Sequence, residues 1–338
     1  MEETQPPEVV NSRRSPRPLR LLVGISICVA FVVVVLGAYT RLVDAGLGCP
    51  DWPGCYGQLV VPSTDEQIAA AEALFPDTPV DQAKAWTEMV HRYFATGLGI
   101  LMIGIVVLAW YYKSSLRFPL FLLALVILQG AFGAWTVTLK LWPQVVVAHL
   151  LGGFATLLLL WWYMLTLGSF KLPEIATKFR AQLYIFSALL VVQITLGGWV
   201  SANYAALICP DFPLCLGTLL PEMDFVAGLN FFQTIGPDYT GGEMSYEGRV
   251  AIQNLHRWAA YVVFVFGLIL AWRIREVPGL VLGLAVCAQV ALGISNVLFV
   301  LPLPIAVMHN AGAALLLLVV FTLLLQSRPL REEQSSEP

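Results

Sequence analysis

The stretch Glu88-Met-Val-His91-Arg92-Tyr93-Phe94 opens a long apolar run that continues through Leu108 and Trp110. Such a run is typical of a helix that crosses a membrane, which needs about 20 apolar residues. Because Glu88 and His91 are three residues apart, a helix places both side chains on the same face. The stretch therefore predicts a carboxylate and an imidazole that share a space inside a membrane.

The sequence contains four histidines, and each lies near the start of a comparable apolar run: His91, His149, His256 and His309. An ionisable or metal-binding side chain within a membrane segment is costly to bury without a partner, so it is a functional hypothesis by default. The simpler interpretation is that the histidines are interfacial and only form hydrogen bonds. Both interpretations place them inside membrane spans.

Composition excludes a water-soluble globule. The chain has 338 residues, of which 58% are hydrophobic and 12% charged, with a mean hydropathy of +0.76. These values indicate an all-α integral membrane protein that crosses the membrane several times. The apolar runs predict eight transmembrane helices, near residues 21–41, 88–112, 118–139, 144–168, 180–202, 251–273, 278–301 and 304–326.

The distribution of charge predicts the orientation, because Lys and Arg accumulate on the cytoplasmic side. Basic residues flank one set of helix ends, whereas the two long loops at the other ends are acidic. Both termini are therefore predicted to be cytoplasmic, as tails over residues 1–20 and 327–338. The first apolar run is longer than that of a signal peptide, so we expect it to stay attached. A net charge of −3 gives no reason to expect a nucleic-acid partner.

One half of the chain repeats the other. Cys49-Pro-Asp-Trp-Pro-Gly-Cys55 recurs 160 residues later as Cys209-Pro-Asp-Phe-Pro-Leu-Cys215. The same offset relates further pairs, namely Gly37 and Gly197, Gln129 and Gln289, Gly133 and Gly293, and His149 and His309. Each half has an even number of spans and so enters the membrane in the same orientation. We predict two tandem four-helix bundles, 21–170 and 180–326, joined by a cytoplasmic linker at 171–179 and related by a pseudo-two-fold axis along the membrane normal.

This topology places all four histidines in the outer half of the membrane, on the second and fourth helices of each bundle. His91 and His149 form one pair, and His256 and His309 form the other. Two facing imidazoles suit the iron of a heme better than zinc, which usually has three or four protein ligands. Copper is an alternative, although no thiolate or thioether ligands accompany the histidines.

An arginine directly follows the first histidine of each pair, Arg92 after His91 and Arg257 after His256. Near a heme, these side chains are candidate anchors for the propionates, which need a cationic hydrogen-bonding partner. The alternative is that each arginine extends to the lipid headgroups.

The two halves differ three residues before those histidines, where Glu88 in the first half corresponds to Gln253 in the second. A carboxylate beside a heme can accept a proton or stabilise positive charge, which an amide cannot do by titration. The first half is therefore the candidate site of chemistry. The alternative is that Glu88 is a solvated acid at a helix start, where the helix dipole favours it. Gln129 and Gln289 are explained equally well by interhelical hydrogen bonds.

Four of the six cysteines form two Cys-x5-Cys loops on the predicted outer, oxidising side, where disulfides persist. We expect the pairs Cys49–Cys55 and Cys209–Cys215. Metal binding by these pairs is less supported, because no further ligands flank them. A structural role accounts for both disulfides, and a redox role for the first is the sharper hypothesis. Cys28 and Cys287 lie within spans and are predicted to be small core residues.

Together, the segments Gly37–Leu42 and Asp44–Cys55, the Glu88-x-x-His91-Arg92 motif and the other three histidines resemble the heme A synthase family. The likeness extends over about residues 20–326 and is closest to the bacterial type with cysteine pairs in both outer loops. The resemblance implies oxidation of the C8 methyl of heme O to the formyl group of heme A, by successive hydroxylations and loss of water.

The same resemblance implies that His91 and His149 bind the substrate heme, that Glu88 is catalytic, and that His256 and His309 hold the iron of a heme b that carries electrons. It further implies the bacterial inner membrane as the location, with a heme O synthase and the assembly of terminal oxidases as partners. The residues alone leave two other functions open, a diheme cytochrome that only relays electrons and a transporter or assembly factor without heme. The electron acceptor, the source of oxygen and the oligomeric state, including a homo-oligomer, are also open.

Overall fold

The computed structural model describes residues 16–168 and 175–327, which form helices joined by loops. In chain order, the helices are α1 (Arg17–Leu42), α2 (Asp65–Leu74), α3 (Gln82–Tyr111), α4 (Arg117–Thr138), α5 (Pro143–Thr166), α6 (Arg180–Ala202), α7 (Phe225–Gly228), α8 (Tyr246–Ile274), α9 (Glu276–Leu298) and α10 (Leu303–Gln326). All except α2 and α7 are long and apolar enough to cross a membrane, so the eight predicted spans are confirmed. The predicted tail at 1–20 and the predicted linker lie partly outside the described residues, and the C-terminal tail lies almost wholly outside them.

Two helices begin several residues earlier than the apolar pattern predicts. Asp81 caps α3 by accepting a hydrogen bond from the Lys84 amide at 3.1 Å, and Ser245 caps α8 by accepting one from Gly248 at 3.2 Å. These caps stabilise polar first turns that lie outside the apolar run. Because α3 starts at Gln82, Glu88 lies beyond its first turn. The helix-start explanation of Glu88 is therefore wrong, since the dipole acts within the first turn.

The spanning helices form two rings of four. In the first half, α1 packs on α3, α3 on α4, α4 on α5 and α5 on α1, and the second half repeats this order with α6, α8, α9 and α10. The helices that carry histidines therefore occupy opposite corners of each ring. The direction of the two-fold axis stays a prediction.

The contacts between the two halves are reciprocal. Helix α1 packs against α10, the repeat-related α6 packs against α5, and α5 and α10 contact each other. At the end of α1 next to the first cysteine loop, Arg41 Nη2 donates to the carbonyl of Ser201, the residue 160 positions later, at 2.5 Å. The Arg41 guanidinium also lies 4.0 Å from the ring centre of Tyr204 and pairs with Asp44. Arg41 therefore joins the two halves at equivalent positions.

The long loop between α6 and α8 extends over the first bundle. Trp142 Nε1 and Gln144 Nε2, at the start of α5, donate to the carbonyls of Gln233 and Phe231, each at 3.0 Å. The Tyr239 amide donates to the Lys140 carbonyl at 3.1 Å. These contacts hold the N-terminal end of α5, the helix that carries His149.

Candidate functional site

His91 and His149 face each other across the interior of the first bundle. Their ring centres are 6.4 Å apart and their planes are nearly perpendicular, at 89°. The two residues belong to α3 and α5, the helices at opposite corners of the ring. The structure therefore brings together the pair that the topology predicts.

Each histidine packs against a glycine on a neighbouring helix, and these glycines recur at the 160-residue offset. A Cβ added to Gly37 would lie 3.0 Å from Cε1 of His91, and one added to Gly197 would lie 3.0 Å from Cε1 of His256. A Cβ added to Gly293 would lie 3.1 Å from Cε1 of His309, whereas one added to Gly133 would lie 3.6 Å from Cε1 of His149. Glycine at the first three positions lets the backbone approach the imidazole more closely than a side chain would allow.

Glutamine side chains contact the second pair of histidines. Gln193 Nε2 lies 3.1 Å from Nδ1 of His256, and Gln289 Nε2 lies 3.3 Å from Nδ1 of His309. The repeat identified Gln289, but sequence reasoning missed Gln193. Its signal is a break in the repeat, because Val33 occupies the equivalent position in the first half.

Glu88 is buried, with 4% of its surface exposed, and both carboxylate oxygens have partners. Oε2 accepts a hydrogen bond from the Cys49 amide at 2.9 Å, and Oε1 forms an ion pair with Arg92, one turn further along α3. The carboxylate thus connects the helix that carries His91 to the first cysteine loop. In the second half, Gln253 instead donates to the Ala206 carbonyl at 3.2 Å.

Both arginines that follow a histidine bind the adjacent cysteine loop. Arg92 Nη1 donates to the carbonyls of Asp51 and Gly54, at 3.0 and 2.5 Å. Arg257 likewise donates to the carbonyls of Cys209, Asp211 and Leu214, all at 2.8 to 2.9 Å. The alternative in which these side chains extend to the headgroups is wrong for this structure, because the loops hold them. Binding of propionates stays a prediction.

The cysteine loops have the same internal structure. Asp51 accepts hydrogen bonds from the amides of Tyr56 and Gly57, and Asp211 accepts them from Leu216 and Gly217. The amides of Gly217 and then Leu216 hold the pKa of Asp211 below its ordinary value, with further help from Arg257. A proline in each loop follows a cis peptide bond, Trp52–Pro53 and Phe212–Pro213.

The cysteine pairs are disulfide-bonded as predicted, Cys49 with Cys55 and Cys209 with Cys215. The prediction that Cys28 and Cys287 are core residues is wrong, because both side chains are exposed on the outward surface of their helices. Cysteine is small and weakly polar, so its presence in a span does not distinguish a core position from a lipid-facing one.

These states predict a labelling pattern. Unreduced protein in detergent should react with a membrane-permeant maleimide at Cys28 and Cys287 only, because thiols but not disulfides react. After reduction under denaturing conditions, the other four cysteines should also be labelled. Intact mass spectrometry counts the adducts. A double Cys28→Ser, Cys287→Ser variant that still reacts before reduction would contradict the disulfide assignment.

The histidine pairs fit a heme better than a bare metal ion. Within 16–168 and 175–327, no three side chains among His, Cys, Asp and Glu are grouped closely enough to hold a metal ion. A porphyrin brings four nitrogens to its iron and needs at most two axial protein ligands. A metal bound at about 2 Å by two facing imidazole nitrogens puts the ring centres about 6 Å apart, close to the separation of His91 and His149. Fold and site together define a multi-span membrane protein with paired histidines suited to axial heme ligation.

Comparison with known proteins gives the family. Residues 20–321 match the family described as cytochrome oxidase assembly protein. The chain is 42% identical to a heme A synthase of Shewanella oneidensis over 319 residues, which cover 90% of this chain and 95% of the relative. It is 30% identical to a heme A synthase of Caulobacter sp. strain K31 over 90% of this chain and 95% of the relative, and 29% identical to one of Maricaulis maris over 89% and 92%. The chain belongs to the heme A synthase family of cytochrome oxidase assembly proteins.

Proposed function

We propose that the protein is a heme A synthase, an oxidoreductase that converts the C8 methyl of heme O to the formyl group of heme A through successive hydroxylations and loss of water. The observations that carry the proposal are that His91 and His149 face each other and that buried Glu88 lies three residues before His91 on the same helix. The second half has paired histidines too, but Gln253 takes the place of the acid.

The two halves have different roles. The first bundle, 21–170, takes heme O as substrate, with His91 and His149 as its axial ligands. The second bundle, 180–326, holds heme b through His256 and His309. When bound, that heme supplies one-electron redox chemistry. Arg92 and Arg257 keep the cysteine loops seated over the outer ends of the two bundles, and they remain our candidate anchors for heme propionates.

Glu88 is proposed as the catalytic carboxylate. Its position is fixed from two sides, by the Cys49 amide and by Arg92, so that it does not depend on solvent for orientation. A fixed carboxylate can hold a proton removed from the substrate or stabilise positive charge that develops there.

The cellular setting follows from the same function. Eight spans and bacterial relatives support a multi-pass inner-membrane protein. We propose that both termini face the cytoplasm, that a heme O synthase supplies the substrate, and that terminal oxidase assembly consumes the product.

The experiment that tests this function is an absorption spectrum of the purified protein, followed by chromatography of its extracted hemes. We expect heme b together with heme O or heme A. His256→Ala should remove heme b, while His91→Ala should remove the heme O or heme A fraction. The protein would instead be an electron relay if heme b were the sole pigment in three samples. These are the purified protein, extracts of expressing cells supplied with heme O, and both single variants. The absence of any heme would remove the basis of the histidine assignment.

The glycine contacts predict a second set of effects. Gly197→Ala should displace the His256 ring, because its added Cβ would lie 3.0 Å from Cε1 of the ring, tighter than most carbon contacts. We expect the heme b content of purified protein to fall several-fold. Gly133→Ala is the comparison in the first half, where the added Cβ would lie in ordinary contact with His149 at 3.6 Å, so the heme bound there should be retained. An unchanged heme b content in Gly197→Ala would show that close packing does not set the imidazole position.

A further inference from the structure

The repeat is broken at one position beside the histidines. Val33 on α1 and Gln193 on α6 are 160 residues apart and correspond to each other. Each lies four residues before a glycine that contacts a histidine, Gly37 beside His91 and Gly197 beside His256. Four residues are about one helical turn, so both side chains lie on the helix face that the histidine packs against. The two halves therefore present different chemistry to equivalent imidazoles.

Gln193 contacts three atoms of His256. The Nε2 atom of Gln193 lies 3.1 Å from the ring nitrogen Nδ1, 3.1 Å from the backbone carbonyl oxygen and 3.5 Å from the other ring nitrogen. A primary amide has two hydrogens and can donate one to Nδ1 and one to the carbonyl oxygen. The amide thus fixes the imidazole relative to its own backbone.

His91 has no equivalent restraint. Its Nδ1 is buried and lacks a side-chain partner among the described residues, and the Val33 side chain has no polar atom, so only the Val33 backbone lies beside the ring. The other glutamine position has the same residue type in both halves, Gln129 and Gln289, although His149 Nδ1 has no hydrogen-bond partner in the described structure and His309 Nδ1 contacts Gln289. Val33 and Gln193 are the pair at which the residue type itself differs.

Glutamine suits a histidine that must bind a metal. A histidine that ligates through Nε2 carries its proton on Nδ1, and that proton needs an acceptor. The Oε1 atom of Gln193 is buried without a hydrogen-bond partner in the described structure. The same amide can therefore donate to Nδ1 in the metal-free protein and, after turning, accept from Nδ1–H in the loaded one. The valine side chain offers neither group, so the difference between the halves lies in the side-chain amide and not in the backbone, which lies beside the ring in both.

We propose that Gln193 is a positioning residue that makes the second half a permanent heme site, whereas Val33 leaves the first half able to exchange its heme. This inference rests on the proposed function, in which the first half takes up heme O and releases heme A. It assigns the difference in how long the two hemes stay bound to one pair of repeat-related residues, Val33 and Gln193.

The test replaces Gln193 with the residue that the first half uses. In Gln193→Val, we expect heme b to transfer to excess apomyoglobin about tenfold faster or more, as is usual when the partner of a metal-ligating histidine is lost. The midpoint potential of heme b should rise, because an acceptor at Nδ1 makes the imidazole a stronger donor and favours ferric iron. A purely structural role would not move the potential in a defined direction.

Two further variants keep the test decisive. Gln182→Val removes a glutamine about three turns away on the same helix and should change neither quantity. Val33→Gln should slow transfer of the first-half heme. Unchanged transfer and potential in Gln193→Val, with wild-type protein that holds heme b and forms heme A, would overturn this inference alone. If Gln193→Val cannot be purified, an unaltered first-half transfer rate in Val33→Gln overturns it. Wild-type protein without heme would instead overturn the proposed function.

Discussion

Glu88→Ala should reduce formation of heme A by about 10² to 10⁴-fold, the usual contribution of a positioned acid or base. Heme b should stay bound, because the second histidine pair lies in the other bundle. Formation of heme A should fall because Glu88 is the buried acid that distinguishes the first half from the second. The measurement is the ratio of heme A to heme O extracted from cells that express each variant.

Two companions separate chemistry from folding. Glu88→Gln keeps the size of the side chain and a partner for the Cys49 amide, and the loop carbonyls still hold Arg92, so it should be as inactive as Glu88→Ala while losing less stability. Gln253→Ala removes the repeat-related residue and should leave the ratio of hemes unchanged. Unaltered heme A output from Glu88→Gln would exclude Glu88 as the catalytic carboxylate.

Arg92→Met should destabilise the protein by about 3 to 5 kcal/mol, because it leaves the buried Glu88 carboxylate without its cation. It also removes donors from the loop carbonyls of Asp51 and Gly54. Arg257→Met breaks similar loop contacts but leaves no buried acid unpaired, so its cost should be smaller, about 1.5 to 3 kcal/mol, the usual value for a hydrogen bond to a charged group. Thermal unfolding in detergent compares the two variants.

The double variant Glu88→Gln, Arg92→Met provides the check. Neutralising the acid should restore part of the stability that Arg92→Met loses, which a double-mutant cycle reports as a coupling energy. If the two substitutions were additive, the ion pair would contribute nothing beyond its separate hydrogen bonds. The loop contacts alone would then account for the role of Arg92.

The sequence was sufficient for the features that depend on pattern. Apolar runs located the spans, the order of those spans predicted which histidines pair, and cysteine spacing predicted the disulfides. It could not show that Arg92 and Arg257 donate hydrogen bonds to the cysteine loops, because the backbone conformation of each loop determines which carbonyls face the guanidinium. It also missed Gln193, since the sequence of an apolar helix does not show which neighbouring helix a single polar side chain faces. The early start of α3 was missed because a cap at Asp81, rather than hydrophobicity, determines it.

The reciprocal packing of α1 on α10 and of α6 on α5 is the pattern of an isologous interface, the kind that two identical subunits form. A dimer of identical half-length chains would carry every substitution twice, once in each site. Here a single gene encodes both halves, so one copy can change while the shared interface persists. Valine at 33 with glutamine at 193, and glutamate at 88 with glutamine at 253, are differences that a dimer of identical half-length chains could not carry.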